Sequence, residues 1–221
     1  MSPTYPEGFL ALPSTGKGSI VLVLHASWGL NDTIKTVCKR LAEAGFVAFA
    51  ADLYHGKVTD KIDEATTLGA AVDANVNQAR AELVDATMFL RERAGSDNPG
   101  IAVVAFSLGA YYALDLSVNV PEAIRSVVLF YGTAGTVPLD FNRSRADYLG
   151  HFAEIDQFES QSNVSDLEEA LKRAGRPVSF YQYSGIGHWF FEPDRADAYN
   201  PAAANLAWDR TLAFLKRSST A

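Results

Sequence analysis

The stretch Ile101-Ala102-Val103-Val104-Ala105-Phe106-Ser107-Leu108-Gly109-Ala110 decides the reading of this chain. A short apolar run rich in β-branched residues stops at a serine, and small residues then open a helical pattern. That predicts a buried strand, a sharp turn and a helix, with one hydroxyl at the apex. Ala105-Phe106-Ser107-Leu108-Gly109 follows the pattern G-x-S-x-G, with alanine at the first small position. In that nucleophile elbow a strained turn lifts the serine oxygen above the sheet. Small residues two before and two after the serine let strand and helix pass close together.

Outward from the elbow, strand and helix patterns alternate. Residues 19–25 (SIVLVLH) form a continuous apolar run, as a strand covered on both faces requires. Residues 31–44 place Ile34, Val37, Cys38 and Leu41 on one helical face, with Asn31 or Asp32 to cap the start and Gly45 to end it. Residues 46–50 read as a strand, 82–93 as a helix reaching back toward Asp73, and 96–100 as a loop. Strands follow at 126–131, 147–153 and 178–183. Ser165-Asp166-Leu167-Glu168 reads as a capping box opening a helix that ends near Gly175, and a last helix covers 202–216. The expected fold is α/β: one domain over 1–221, its mostly parallel central sheet flanked by helices on both faces. The loops at the strand C-termini should hold the site.

The composition is that of an ordinary globular chain, with 221 residues, 48% apolar and 20% charged. A net charge of −7 and no basic cluster exclude a general affinity for nucleic acid or for an anionic membrane surface. The start of the chain lacks a basic segment followed by an apolar one, and no apolar run approaches the ~20 residues of a membrane span. A cytoplasmic protein is expected. The lone Cys38 excludes an internal disulfide and falls on a buried helix face. Without a long exposed apolar or heptad segment, the expected state is a monomer or at most a weak homodimer.

Serine is a poor nucleophile at neutral pH and needs an adjacent base, itself oriented by a third group. After an elbow serine the chain order is acid, then histidine. Of the four histidines, His25 and His55 precede the elbow and His151 lies inside a strand pattern. His188 follows the last strand in the glycine-bearing Ser184-Gly185-Ile186-Gly187, where a mobile imidazole belongs, and is the expected base. Asp156, just past the preceding strand, is the expected acid, with Glu154 the alternative. Oxyanion donors are expected from the backbone N–H of Leu108, next to the nucleophile, and of Ser27, in the loop after the first strong strand. Trp28, Tyr54, Phe106, Tyr131 and Trp189 flank these positions and are the candidate pocket residues, some of them expected to serve the core instead. His25 and Asp52 read as braces for loops. The histidines are too scattered for a metal site, and neither metal nor organic cofactor is expected.

At these residues the chain resembles the dienelactone hydrolase family of α/β-hydrolases. The marks run over most of its length: His25-Ala26-Ser27-Trp28-Gly29-Leu30-Asn31, Ala51-Asp52-Leu53-Tyr54, the elbow, Phe130-Tyr131-Gly132, Asp156, Gly187-His188-Trp189-Phe190 and the closing helix with Ala207-Trp208. The resemblance implies an α/β-hydrolase fold and cofactor-free cleavage of an ester, lactone or thioester. Three positions depart from it. Ser107 stands where the namesake enzymes have cysteine, and Ala26 where they place a glutamate that controls the thiol. Glu192 stands where they use arginine to hold the lactone's carboxylate, so an anionic dienelactone is expected to be repelled. The competing reading is a small-molecule binding protein on the same fold.

Overall fold

Apolar runs that alternate in side-chain direction build one seven-stranded sheet in the computed structural model, which describes residues 6–93 and 100–218. The strands are β1 (Gly8–Ala11), β2 (Ile20–Leu24), β3 (Val47–Ala51), β4 (Ile101–Phe106), β5 (Ile124–Phe130), β6 (Asp147–Ile155) and β7 (Val178–Gly187). Their order across the sheet is β1-β3-β2-β4-β5-β6-β7, and only β1 runs antiparallel to its neighbour. The helices are α1 (Asp32–Glu43), α2 (Ile62–Ala74), α3 (Val76–Arg93), α4 (Leu108–Asn119), α5 (Gln161–Arg173) and α6 (Pro201–Ser218). None is long and apolar enough to cross a membrane.

The sheet separates two apolar layers, as the alternation of strand side chains demands. Ile101, Val103 and Ala105 of β4 pack with Leu83, Leu90, Tyr112 and Leu116 of α3 and α4. Val104 and Phe106 pack on the opposite face with Ile34, Leu41, Trp208 and Leu215 of α1 and α6. Cys38 lies in this second layer, where burial pushes its thiol up to about 12. The chain leaves β2 toward β3 on one side and enters β4 on the other. A crevice therefore opens at their C-terminal ends, where α/β sheets hold their ligands.

The structure departs from the sequence reading in four places. β1 was not expected; it is a four-residue, half-exposed edge strand, too short to show a period. α2 was not expected either, because it buries only Ala65, Gly69 and Val72 and so has a weak apolar face. It is broken from α3 at Asn75 (φ −116°, ψ 35°). α5 starts earlier than the supposed capping box: Ser160 is its N-cap, accepting from the Asn163 N–H, and Ser165 lies inside the helix. β6 and β7 run further than their apolar patterns, to Ile155 and Gly187. Residues 96–99 of the expected loop lie outside the described residues, as do residues 1–5 at the start of the chain.

Candidate active site

β4 ends directly beneath Ser107, which adopts φ 46° and ψ −112°, a left-handed conformation that non-glycine residues rarely hold. Such strain persists only where the surroundings over-determine it. Here the Ser107 N–H donates to Phe130 O at 2.9 Å, tying the turn to β5. Close approach does the rest. A Cβ on Gly109 would lie 2.8 Å from Leu24 Cβ, and one on Gly132 only 2.5 Å from Ser107 O. Gly109 thus lets the first turn of α4 lie against the end of β2, and Gly132 lets the loop after β5 close on the elbow itself.

Two strands bring the remaining groups to the serine. In the β6–β7 ladder Ala153 faces Tyr183, but Ile155 faces Gly187, so β7 holds two extra residues between these pairs. This irregularity places Asp156 and His188, the next residues of each strand, side by side. Gly185 takes φ +70° within it, and its N–H donates to Glu154 Oε2 at 2.7 Å. Glu154, the alternative acid, thus braces the irregularity and does not meet the imidazole.

His188 Nδ1 lies 2.7 Å from Asp156 Oδ2, and His188 Nε2 lies 3.0 Å from Ser107 Oγ. Asp156 Oδ1 accepts the N–H groups of Phe158 and Glu159, each at 2.9 Å. Burial works against the charge of Asp156. The His188 contact and the two backbone donors outweigh it and hold the carboxyl below its usual range. An ionised carboxylate only accepts, so Nδ1 carries the imidazole proton and Nε2 presents a lone pair to the serine hydroxyl. The side chains of both His188 and Asp156 are almost fully buried.

Leu108 begins α4, where a first-turn N–H has no acceptor inside the helix and the helix dipole favours negative charge. Ser27 sits in a tight turn closed by the Gly29 N–H on Ala26 O at 3.2 Å. Leu24 is registered with Ala105, so this turn leaves the sheet beside the elbow, although Ser27 does not line the cleft. His25 braces it: its Nδ1 bonds Ala26 O at 2.7 Å, and its Nε2 accepts the Leu53 N–H at 3.1 Å. Asp52 caps the next loop by accepting the Tyr54 and Gly56 N–H groups. His151 is wholly buried between Tyr183 and Thr211, and burial pushes its pKa down to about 3.

An open cleft of about 500 Å³ rises from Ser107, Leu108 and His188. Of the five candidate pocket aromatics only Tyr131 lines it. The other four do not line it. Phe106 points into the core and stacks on Phe130 at 4.6 Å, because the strand alternation turns it away from the elbow. Trp28 is buried between Trp189 (5.0 Å) and the guanidinium of Arg195 (3.6 Å). Trp189 packs edge-on to the His188 imidazole and against Phe158 at 4.6 Å, and Tyr54 lies edge-on to His25 beneath the loops. Residues that the sequence reading missed form the walls: Asp73 and Val76 at the α2–α3 break, Tyr111 one turn beyond Ser107, Val137, and Phe158 and Glu159 just past the acid. Tyr111 and Glu159 had a usable signal in their spacing from Ser107 and Asp156; the α2–α3 break had none.

Glu192 does not line the cleft either. It is fully buried, away from the cleft, and Tyr131 Oη donates to its Oε1 at 2.8 Å. Burial pushes its carboxyl up to about 8, so at neutral pH it stands mainly protonated. It does not present a charge to a ligand, and the expected repulsion does not come from it. Among the described residues no three histidine, cysteine, aspartate or glutamate side chains gather as a metal site.

A sequence model of the dienelactone hydrolase family matches residues 7–219. The chain belongs to this family. It is therefore a hydrolase of the ester and lactone type. "Protein usf" of Aquifex pyrophilus is 33% identical over 222 residues, covering 97% of this chain and 94% of that protein. A protein of Aquifex aeolicus (strain VF5) named "Putative carboxymethylenebutenolidase" is 28% identical over 214 residues, covering 95% and 92%. Among solved structures, a dienelactone hydrolase-like promiscuous phosphotriesterase from metagenomic libraries superposes with a TM-score of 0.84. It covers 95% of this chain and 91% of its own, at 19% identity, a likeness of fold alone.

Proposed function

We propose that this hydrolase cleaves a carboxylic ester or lactone, or the corresponding thioester, through an acyl-serine on Ser107. The observation that carries the reading is the continuous chain Ser107 Oγ, His188, Asp156 at 3.0 and 2.7 Å. In it His188 Nε2 takes the hydroxyl proton as Oγ attacks the acyl carbon. The Leu108 and Ser27 N–H groups receive the developing oxyanion, each good donor being worth about 3–4 kcal/mol. The imidazolium, held by Asp156, then protonates the leaving oxygen or sulfur; the alcohol or thiol departs, or from a lactone stays tethered as a hydroxyl, and the acyl group stays on Ser107. A water molecule that gives its proton to His188 attacks the acyl carbon, and collapse returns the proton to Ser107 Oγ and frees the acid.

The test is intact-mass analysis after incubation with a fluorophosphonate, beside hydrolysis of short-chain aryl esters. One adduct, mapped to Ser107 and lost with turnover in a folded Ser107→Ala variant, is expected. An adduct that persists in Ser107→Ala overturns the assignment. Neither adduct nor turnover in the folded native protein favours a binding protein on this scaffold.

A further inference from the structure

We propose that the cleft takes esters and lactones whose acyl portion is uncharged and apolar, and selects against those bearing a carboxylate, with Glu159 and Asp73 as the discriminating residues. The inference rests on the acyl-serine reading, because it treats the space above Ser107 as the place of the acyl group. Among the described residues lining the cleft there is no lysine or arginine, while two carboxylates face it. Glu159 is only 9% exposed. Its Oε2 accepts the Thr133 N–H and hydroxyl at 2.7 and 2.8 Å, and its Oε1 accepts from Asn163 Nδ2 at 2.9 Å. The donors that could have met a substrate carboxylate are thus turned toward a carboxylate of the protein. Asp73 stands at the α2–α3 break, its Oδ1 accepting from Tyr112 Oη at 2.9 Å. Neither acid is paired with a cation among the described residues. The arginine nearest Asp73 along the chain, Arg80, is held by Asp115 through both Nε and Nη2, at 2.7 and 2.8 Å.

The remaining wall is apolar. Val76 and the Tyr111 ring stand on one side, Val137 and Phe158 at the mouth, the last two about half exposed. An apolar chain gains by covering these side chains, whereas an anion loses its hydration and meets like charge within the same cleft. Glu159 dominates the effect because it is buried. Asp73 is exposed and screened by salt, so its share is smaller.

The test compares mono-p-nitrophenyl glutarate with its methyl ester, two acyl chains that differ by one charge and one methyl group, by release of nitrophenol. In the native enzyme kcat/KM for the methyl ester is expected to exceed that for the free acid by roughly tenfold or more, and the ratio to narrow at high salt. Glu159→Gln keeps an oxygen for Thr133, and rotation of the Asn163 amide meets the new NH2 group; this variant should narrow the ratio further. If it does not fold, Asp73→Asn, which keeps an acceptor for Tyr112, should narrow it by a smaller factor. Equal turnover of the two esters, or faster turnover of the acid, overturns the proposal and leaves the acyl-serine reading intact. A ratio unchanged in every folded variant overturns the assignment to these residues. No turnover of either ester, with no fluorophosphonate adduct, overturns the acyl-serine reading and this proposal with it.

Discussion

Replacing Asp156 by asparagine tests the orientation of His188 without changing the shape of the site. The two backbone N–H groups that donate to Oδ1 at 2.9 Å decide how the new amide sits. With its oxygen there both bonds survive. Turned the other way it loses both and sets NH2 against two N–H groups, a loss of roughly 2–3 kcal/mol or more at about 1 kcal/mol per bond. The NH2 group therefore faces His188 Nδ1, which now must accept. The imidazole proton moves to Nε2, which points at Ser107 Oγ as a donor and cannot take the hydroxyl proton. Restoring the productive tautomer would oppose two donors in a buried contact. That sacrifices a charge-assisted bond and leaves a donor unsatisfied, together about 3–5 kcal/mol. Each 1.36 kcal/mol is a decade in rate, so kcat/KM on a neutral aryl ester should fall by roughly a thousandfold. The rate of fluorophosphonate labelling should fall with it. Glu154→Gln is the control, since Glu154 bonds the Gly185 N–H and not the imidazole. A loss below about tenfold in a folded Asp156→Asn protein, or a larger loss in Glu154→Gln, would refute this reasoning.

Two other substitutions probe the surroundings of the site. Gly132→Ala sets a Cβ 2.5 Å from Ser107 O and 2.8 Å from Ala110 Cβ. Since backbone must yield, a destabilisation of about 1–3 kcal/mol and a roughly hundredfold fall in kcat are expected; unchanged melting and activity would show that the elbow is not clamped there. Glu192 has a folded-state pKa raised to about 8 from an ordinary 4.5. Its contribution to stability is present below about pH 4.5 and is lost as pH rises to about 8. Relative to Glu192→Gln, the native protein should thus lose on the order of a few kcal/mol across that window in denaturant titrations. Parallel stability curves for the two proteins would contradict a carboxyl that is buried and neutral.

The tight turn at Ser107 was legible in the sequence because its requirements are local. A β-branched run, a serine and a small residue two positions on are demanded by one strand passing one helix, and Gly109 meets the end of β2 accordingly. The order serine, acid, histidine was legible for a similar reason, since each group ends a strand of the same sheet. The pocket was not. An aromatic beside a candidate site residue in sequence lines the cleft or not according to strand parity and loop conformation; Phe106 and Trp189 do not, and Phe158 and Tyr111 do. α2 was missed because its buried residues are small and few, and with it went Asp73 and Val76.

By itself, then, the sequence determined the α/β class, the family, the serine at the elbow and the candidate partners Asp156 and His188. Each of these follows from short-range pattern or chain order. The sequence favoured Asp156 over Glu154 and left both open; their contacts are set by tertiary structure, where two extra residues in β7 shift the ladder between Ala153 and Ile155 and bring Asp156 to the imidazole. Tertiary structure alone also decided that Glu192 is bonded to Tyr131 off the cleft while Glu159 faces it. A carboxylate's letter in the sequence carries its charge; only the fold sets the solvent, donors and neighbours that decide where that charge acts.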